Sequence, residues 1–308
     1  MNCTQCSREI PKNRCEGCGQ KLRAQGFPLP PNLTLPFFAY GVFKPGELAF
    51  LRIKEFVQAV SEATVPGALK MRDGLPIAVL GQSQVIRGCL MRFESGLEHR
   101  AYQYIADLEP DKQYQWGELY CNGEKVNILV GVKPEKGAQE MDVPWSGRKD
   151  PLFTSALDVV EETLVQAPQN MDGMDDLRPL FRLEMAYLLL WTSIERYASL
   201  RYSLGGDRAH EKVIQIATEP AFAEALRENV QEIRSVQRAD KPDEKCTLDR
   251  DVPNKSLAYY YQIRSNLVHR GKGVFKDYER VRKSLMELLE IFKFTLRAAF
   301  EESGHPSN

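Results

Sequence analysis

Two groups of residues have types and spacings that can do chemistry. Near the C-terminus, Ile263-Arg264-Ser265-Asn266-Leu267-Val268-His269-Arg270-Gly271 sets an arginine ahead of a histidine with four residues between them, in a chain with only four histidines. An imidazole titrates near neutrality and a guanidinium stays charged, so His269 can move a proton while Arg264 holds a phosphate. Together they suit RNA cleavage, with Asn266 able to orient either group. The plainer reading of His269 is a helix-end residue favoured by the terminal dipole. The second group is Cys3-Thr4-Gln5-Cys6 and Cys15-Glu16-Gly17-Cys18, with eight residues between the pairs. Each CxxC turn presents two thiolates to one ion, and two turns complete a tetrahedral sulfur site for structural zinc. Gly17 and Gly19 permit the tight turns, and Ile10-Pro11 suits a hairpin tip. So short a segment cannot bury a core without a metal; the alternative is a pair of redox dithiols.

The whole chain limits what these groups can serve. Its 308 residues call for two domains plus a small appendage. A hydrophobic fraction of 43% and a charged fraction of 27% exclude a disordered chain. The net charge of −1 excludes a globally basic nucleic-acid binder, so contact with RNA must come from a local patch. The longest apolar run, Met185-Ala186-Tyr187-Leu188-Leu189-Leu190-Trp191, is far short of the roughly 18 residues of a membrane span, so no membrane partner is expected. An N-terminus without a signal-like apolar core, and seven cysteines of which four cluster, point to the cytoplasm.

The elements that must position these residues fall into regions. Residues 1–22 hold the cysteines, and 23–34 form a linker stiffened by Pro28, Pro30 and Pro31. Residues 35–133 read as short strands broken by turns: 35–40, 64–71, 84–93, 115–121 and 126–132. An amphipathic helix is expected over 50–61, burying Leu51, Phe56, Val57 and Val60. Residues 134–150 are polar, with Gly137, Pro144 and Gly147, and mark a boundary. From 151 to 308 the apolar period is helical, at Leu177, Leu180, Phe181, Leu188, Trp191, Ile194 and Ala198, then from Tyr278 to Leu296. Gly205-Gly206 and Gly271-Lys272-Gly273 stop helices, and 241–254 reads as a charged loop. The expectation is an all-α bundle of four or five helices.

Three resemblances follow. The N-terminal piece resembles a zinc ribbon. Phe38-Ala39-Tyr40-Gly41-Val42-Phe43-Lys44-Pro45-Gly46-Glu47 resembles the opening loop of γ-glutamylcyclotransferase-like (AIG2-like) domains. Val65-Pro66-Gly67-Ala68-Leu69, Leu75-Pro76-Ile77-Ala78-Val79, Val85-Ile86-Arg87-Gly88-Cys89-Leu90 and Tyr104-Ile105-Ala106-Asp107-Leu108-Glu109 continue it. It implies a small mixed β-barrel whose loop, Tyr40, Gly41, Val42 and Phe43, grips a carboxylate, with Glu109 as acid and base. Loop amides beside a glycine can donate to an anion, and a glutamate in a semi-apolar cavity is pushed towards neutrality. Pro110 stands where the family has glycine, and Val42 and Phe43 are bulkier than usual.

Residues 151–302 are similar to HEPN domains, helical-bundle ribonucleases of prokaryotic defence and toxin systems. Trp191-Thr192-Ser193-Ile194-Glu195-Arg196 and the Arg264-to-His269 segment carry this likeness, together with the long helix expected over 275–300. It implies a homodimer with two motifs meeting at a cleft. Residues five apart on a helix lie roughly 140° apart around its axis. Either the helix loosens before Gly271, then, or the site is composite between subunits. The fold class expected is multidomain α+β: zinc ribbon, barrel and helical bundle. The function expected is a metal-independent endoribonuclease effector, a toxin or anti-phage protein, with a barrel that senses a small anion. The alternatives are a γ-glutamyl cyclotransferase using Glu109, its helices serving dimerisation, and a non-enzymatic adaptor for RNA or protein.

Overall fold

The computed structural model describes residues 27–81, 84–109, 113–134, 136–141, 144–171, 176–202, 211, 213–239, 241, 243–270 and 277–304; for 269 and 270 it describes the backbone alone. The chain is a mixed α+β protein, and none of its described helices is long and apolar enough to cross a membrane.

The first half is β-rich. Its strands are β1 (Phe37–Ala39), β2 (Val57–Pro66), β3 (Ala68–Arg72), β4 (Leu75–Val79), β5 (Val85–Phe93), β6 (Tyr114–Cys121), β7 (Glu124–Gly131) and β8 (Gln139–Glu140). One sheet runs β2-β5-β1-β7-β6, and a second runs β4-β3-β8. Among the described strands only β1 and β7 pair in parallel, with Phe37 opposite Asn127; β5 flanks β1 on its other side and leaves it at the centre. Phe38, Val65, Ala78, Ile86, Leu90 and Ile128 fill one buried cluster of this half. Gly131 lets β4 lie close to β7: a Cβ there would stand 3.0 Å from Ile77.

Two expectations need correction here. The described strands do not close a barrel, since the larger sheet ends at β2 and β6. Alternation of apolar residues marks strands but carries no information on whether the edges meet. Residues 50–61 are not an α-helix either. Two 3₁₀ turns, Leu48–Arg52 and Lys54–Phe56, lead directly into β2. Phe50, Ile53 and Phe56, spaced by three as a 3₁₀ turn requires, supply the buried face, whereas Val60 on edge strand β2 is 38% exposed. The 64–71 run is likewise two strands, parted at Gly67 with φ +151°.

Helix α1 (Glu98–Leu108) ends at Glu109. The second half holds α2 (Ser155–Gln166), α3 (Arg178–Arg201), α4 (Pro220–Asn229), α5 (Pro253–Arg270) and α6 (Tyr278–Gly304). Leu180, Leu183, Tyr187, Leu190, Trp191 and Ile194 of α3 are buried, as are Val281, Leu285, Leu288, Leu289 and Phe292 of α6. This half is not all-α, however. Strands β9 (Arg234–Gln237) and β10 (Lys245–Leu248) form a hairpin, the second of them inside the stretch that reads as a charged loop. Each strand has four residues and buries a single side chain, Val236 or Leu248, too little alternation to stand out in the sequence.

The two halves share a core. One apolar cluster runs from Phe27 and Phe37 through Trp145 and Phe153 to Phe300. The 134–150 segment takes part in it, with β8 paired to β3 and Trp145 buried. Asp150 pairs with Arg196 of α3 at 2.8 Å, and Arg196 also donates to the Gly74 carbonyl at 3.1 Å.

Candidate functional site

The loop after β1 and the end of α1 converge on a small cavity. Tyr40, Gly41, Val42, Phe43 and Glu109, the residues named from the sequence, line it together with Phe37, Ala39, Pro76, Tyr114 and Leu129. Gly41 is required by close packing: a Cβ there would stand 2.6 Å from Pro76 Cγ. The tyrosine hydroxyls are spent on the scaffold. Tyr40 donates to the Leu129 carbonyl at 2.7 Å and accepts from the Ala78 N–H at 3.1 Å, while Tyr114 donates to the Pro76 carbonyl at 2.8 Å. Burial raises both phenols far above their ordinary range, and the nearby Glu109 charge adds to this.

Glu109 is the unsatisfied group. Its side chain is buried, and its Oε2 has no hydrogen-bond partner among the described residues. Burial pushes its carboxyl up to about 8, so it is mostly protonated at neutrality and exchanges a proton close to physiological pH. Pro110 lies outside the described residues. The cavity measures about 20 Å³, room for about one water. A larger ligand has to displace the loop or Pro76. Pro76 lies within the cyclotransferase-like segment and could have been found there; Tyr114 had no signal beyond an aromatic at the start of a strand.

A second buried carboxyl, Glu47, has no counterpart among the residues singled out from the sequence. Its Oε2 accepts from the Gly147 N–H at 2.8 Å. Burial pushes it up to about 7, against the opposing pull of the Gly147 bond and the Lys44 charge.

The Arg–His segment forms the end of α5, which runs as helix through Arg270. Arg264 is half-buried, its Nη2 3.4 Å from Glu195 Oε1 on α3. Its guanidinium lies 5.7 Å from the Tyr261 ring centroid, and that ring meets Trp191 edge-on. Tyr259 and Tyr260 are fully buried, and Tyr260 donates to Glu287 Oε2 of α6 at 3.2 Å, so neither is free to stack on a base. Asn266 is engaged with its own fold. Its Oδ1 accepts from the Ala239 N–H at 3.0 Å and from Gln262 Nε2 at 2.8 Å, and its Nδ2 donates to the Gln237 carbonyl at 2.9 Å. The His269 side chain, like Cys3, Cys6, Cys15 and Cys18, lies outside the described residues. The described residues contain no group of three or more metal-ligating side chains.

The two candidate sites thus sit on different halves of one packed molecule, the first complete around Glu109 and the second built on Arg264 and its partner Glu195. No protein-family model, curated protein or solved structure matches the chain.

Proposed function

We propose that the chain is a HEPN-type, metal-independent endoribonuclease effector whose β-rich half is a cyclotransferase-like module that senses a small anionic ligand. The observation that carries the ribonuclease reading is the unbroken helix through Arg264 and the His269 backbone. Positions five apart on a helix lie roughly 140° apart around its axis, so Arg264 and His269 serve one phosphate best when each comes from a different subunit. The second subunit is another copy of this chain. Phe181, Met185, Leu188, Thr192 and Glu195 recur on α3 at alternating steps of four and three; Phe181 and Met185 are 45% and 71% exposed, and Glu195 meets Arg264. Such spacing suits a helix seam against a partner.

In this mechanism the RNA 2′-hydroxyl attacks the adjacent phosphorus, and the 5′-oxygen leaves. His269 moves the proton and Arg264 neutralises the phosphate. His269→Ala and Arg264→Ala are each expected to lower RNA cleavage at least a hundredfold with dimer and helix content unchanged. The double variant should be scarcely worse, because the two act on one phosphate. Cleavage persists in EDTA and leaves a 2′,3′-cyclic phosphate. Full activity in both single variants defeats the reading.

A second reading, a γ-glutamyl cyclotransferase, draws on the buried, unpartnered Glu109. Release of 5-oxoproline from γ-glutamyl peptides, abolished by Glu109→Gln, would establish it. The sensing role is preferred because the cavity holds about one water and its hydroxyls are already bonded. Structural zinc on Cys3, Cys6, Cys15 and Cys18 belongs to the same proposal.

A further inference from the structure

The loop that closes the Glu109 cavity is fastened at its far end to the helical half. It is a run of consecutive turns, with the Lys44 N–H donating to the Gly41 carbonyl at 3.1 Å and the Glu47 N–H to the Lys44 carbonyl at 3.0 Å. Displacing Gly41 therefore displaces residues 44–47. Those residues are clamped to the 145–148 segment: Lys44 Nζ donates to the Trp145 carbonyl at 2.9 Å, and the buried Glu47 accepts from Gly147 at 2.8 Å. Packing at 147 is close: a Cβ there would stand 2.8 Å from Glu47 Oε2 and 3.1 Å from the Trp145 ring, so it would push on the Glu47 carboxyl.

Both pieces then cap α6. The last carbonyls of a helix have no partner within it. Here the Ser303 carbonyl accepts from the Gly46 N–H at 2.8 Å; just before these last carbonyls, that of Phe300 accepts from Arg148 Nη2 at 2.6 Å as well as from Ser303 Oγ at 2.8 Å. The Glu302 carbonyl accepts from Lys54 Nζ at 3.1 Å, and the Arg148 guanidinium lies 4.7 Å from the Phe300 ring centroid. The end of α6 is thus tied to the β-rich half and the 145–148 segment by three hydrogen bonds and a ring contact. The same helix holds α5, which bears Arg264, through Glu287 and Tyr260.

We propose that the Gly41–Glu47 loop, the 145–148 segment and the last turn of α6 form a latch, so that a ligand widening the Glu109 cavity uncaps α6 and the capped α6 keeps the cavity closed. This names the regulation of the sensing module and rests on that reading. Coupling of this kind is reciprocal, so it can be tested from both ends without ligand or RNA.

The measurement is amide hydrogen exchange on the full chain at fixed pH. Gly41→Ala pushes on the cavity end, where the new Cβ meets Pro76; Arg148→Met, at an exposed residue, removes the hydrogen bond and ring contact that tie the 145–148 segment to Phe300. Gly41→Ala should speed exchange of the 300–304 amides at least tenfold. Arg148→Met should do the same for the 42–47 amides, and exchange in the β9–β10 hairpin should change in neither. Rates at the opposite end within twofold of wild type overturn the latch. Should Gly41→Ala fail to fold, Arg148→Met decides alone. Either result leaves the ribonuclease test untouched, because no cleavage is read.

Discussion

Glu109 and Glu47 are two carboxyls buried in one half of the molecule, and both are held up the pH scale by burial, to about 8 and about 7. Each is neutral in the fold over a range where the unfolded chain would be ionised. The folded state then binds more protons than the unfolded state, and stability falls as pH rises. The contribution is fully present below the ordinary carboxylate value of 4.5. It is lost progressively up to about 8 for Glu109 and about 7 for Glu47, and is flat beyond. We expect the thermal midpoint to drop steadily between these limits. Glu109→Gln should flatten that slope. The wild-type-to-variant difference should change by a few kcal/mol across the window, since each tenfold change in proton affinity is worth about 1.4 kcal/mol. Parallel midpoint-against-pH curves for wild type and Glu109→Gln would show that Glu109 titrates normally. The carboxyl's identity was legible at position 109 from the family likeness. That its Oε2 finds no partner among the described residues was not, because that depends on Tyr40 and Tyr114 spending their hydroxyls on backbone carbonyls.

At the scale of elements, Asn266 shows how a motif residue changes meaning once its neighbours are known. Its amide ties α5 to the end of β9 through bonds to Ala239 and Gln237, and it also meets Gln262. Asn266→Ala leaves the Ala239 N–H and the Gln237 carbonyl to water, a cost of about 0.5–1.5 kcal/mol per bond. Exchange of amides in the β9–β10 hairpin should rise in this variant, with RNA cleavage falling only as far as the hairpin's position matters. A variant with hairpin protection intact but cleavage abolished would place Asn266 at the phosphate instead. The hairpin escaped the sequence because its pairing, Cys246 opposite Val236, joins two strands too short to show a period. The 3₁₀ turns before β2 escaped for the opposite reason: apolar residues three apart fit the start of an α-helix equally well.

For the whole molecule, the decisive feature is the continuity of the core from the β-rich half into α6. Trp145 and Phe153 flank the point where the sequence suggests a boundary, yet both are buried in that core with Phe300, and Arg196 of α3 reaches back to Asp150 and Gly74. Separating the halves near residue 150 would expose this apolar surface. Calorimetry of the intact chain should therefore show one cooperative transition, and each half expressed alone should melt at least several degrees lower. Two independent transitions matching the isolated halves would contradict the shared core. The N-terminal segment is tested separately: freshly purified protein should carry about one zinc per chain, lost when the four cysteines are replaced by serine. Zinc-free protein with titratable thiols would exclude the site.

The sequence by itself determined the mixed α+β class and the shift from strand-like to helix-like periodicity near residue 150. These follow from local spacing and from side-chain chemistry, which a linear chain carries. Tertiary structure alone decided that the larger sheet stays open, that Trp145 is buried with Lys44 bonded to its carbonyl, and that Glu47 and Arg148 join the cavity loop to the end of α6. Each of these depends on contacts between residues about a hundred or more apart, or on edge strands that do not meet. Their energies come from burial and from hydrogen bonds whose partners no local pattern names.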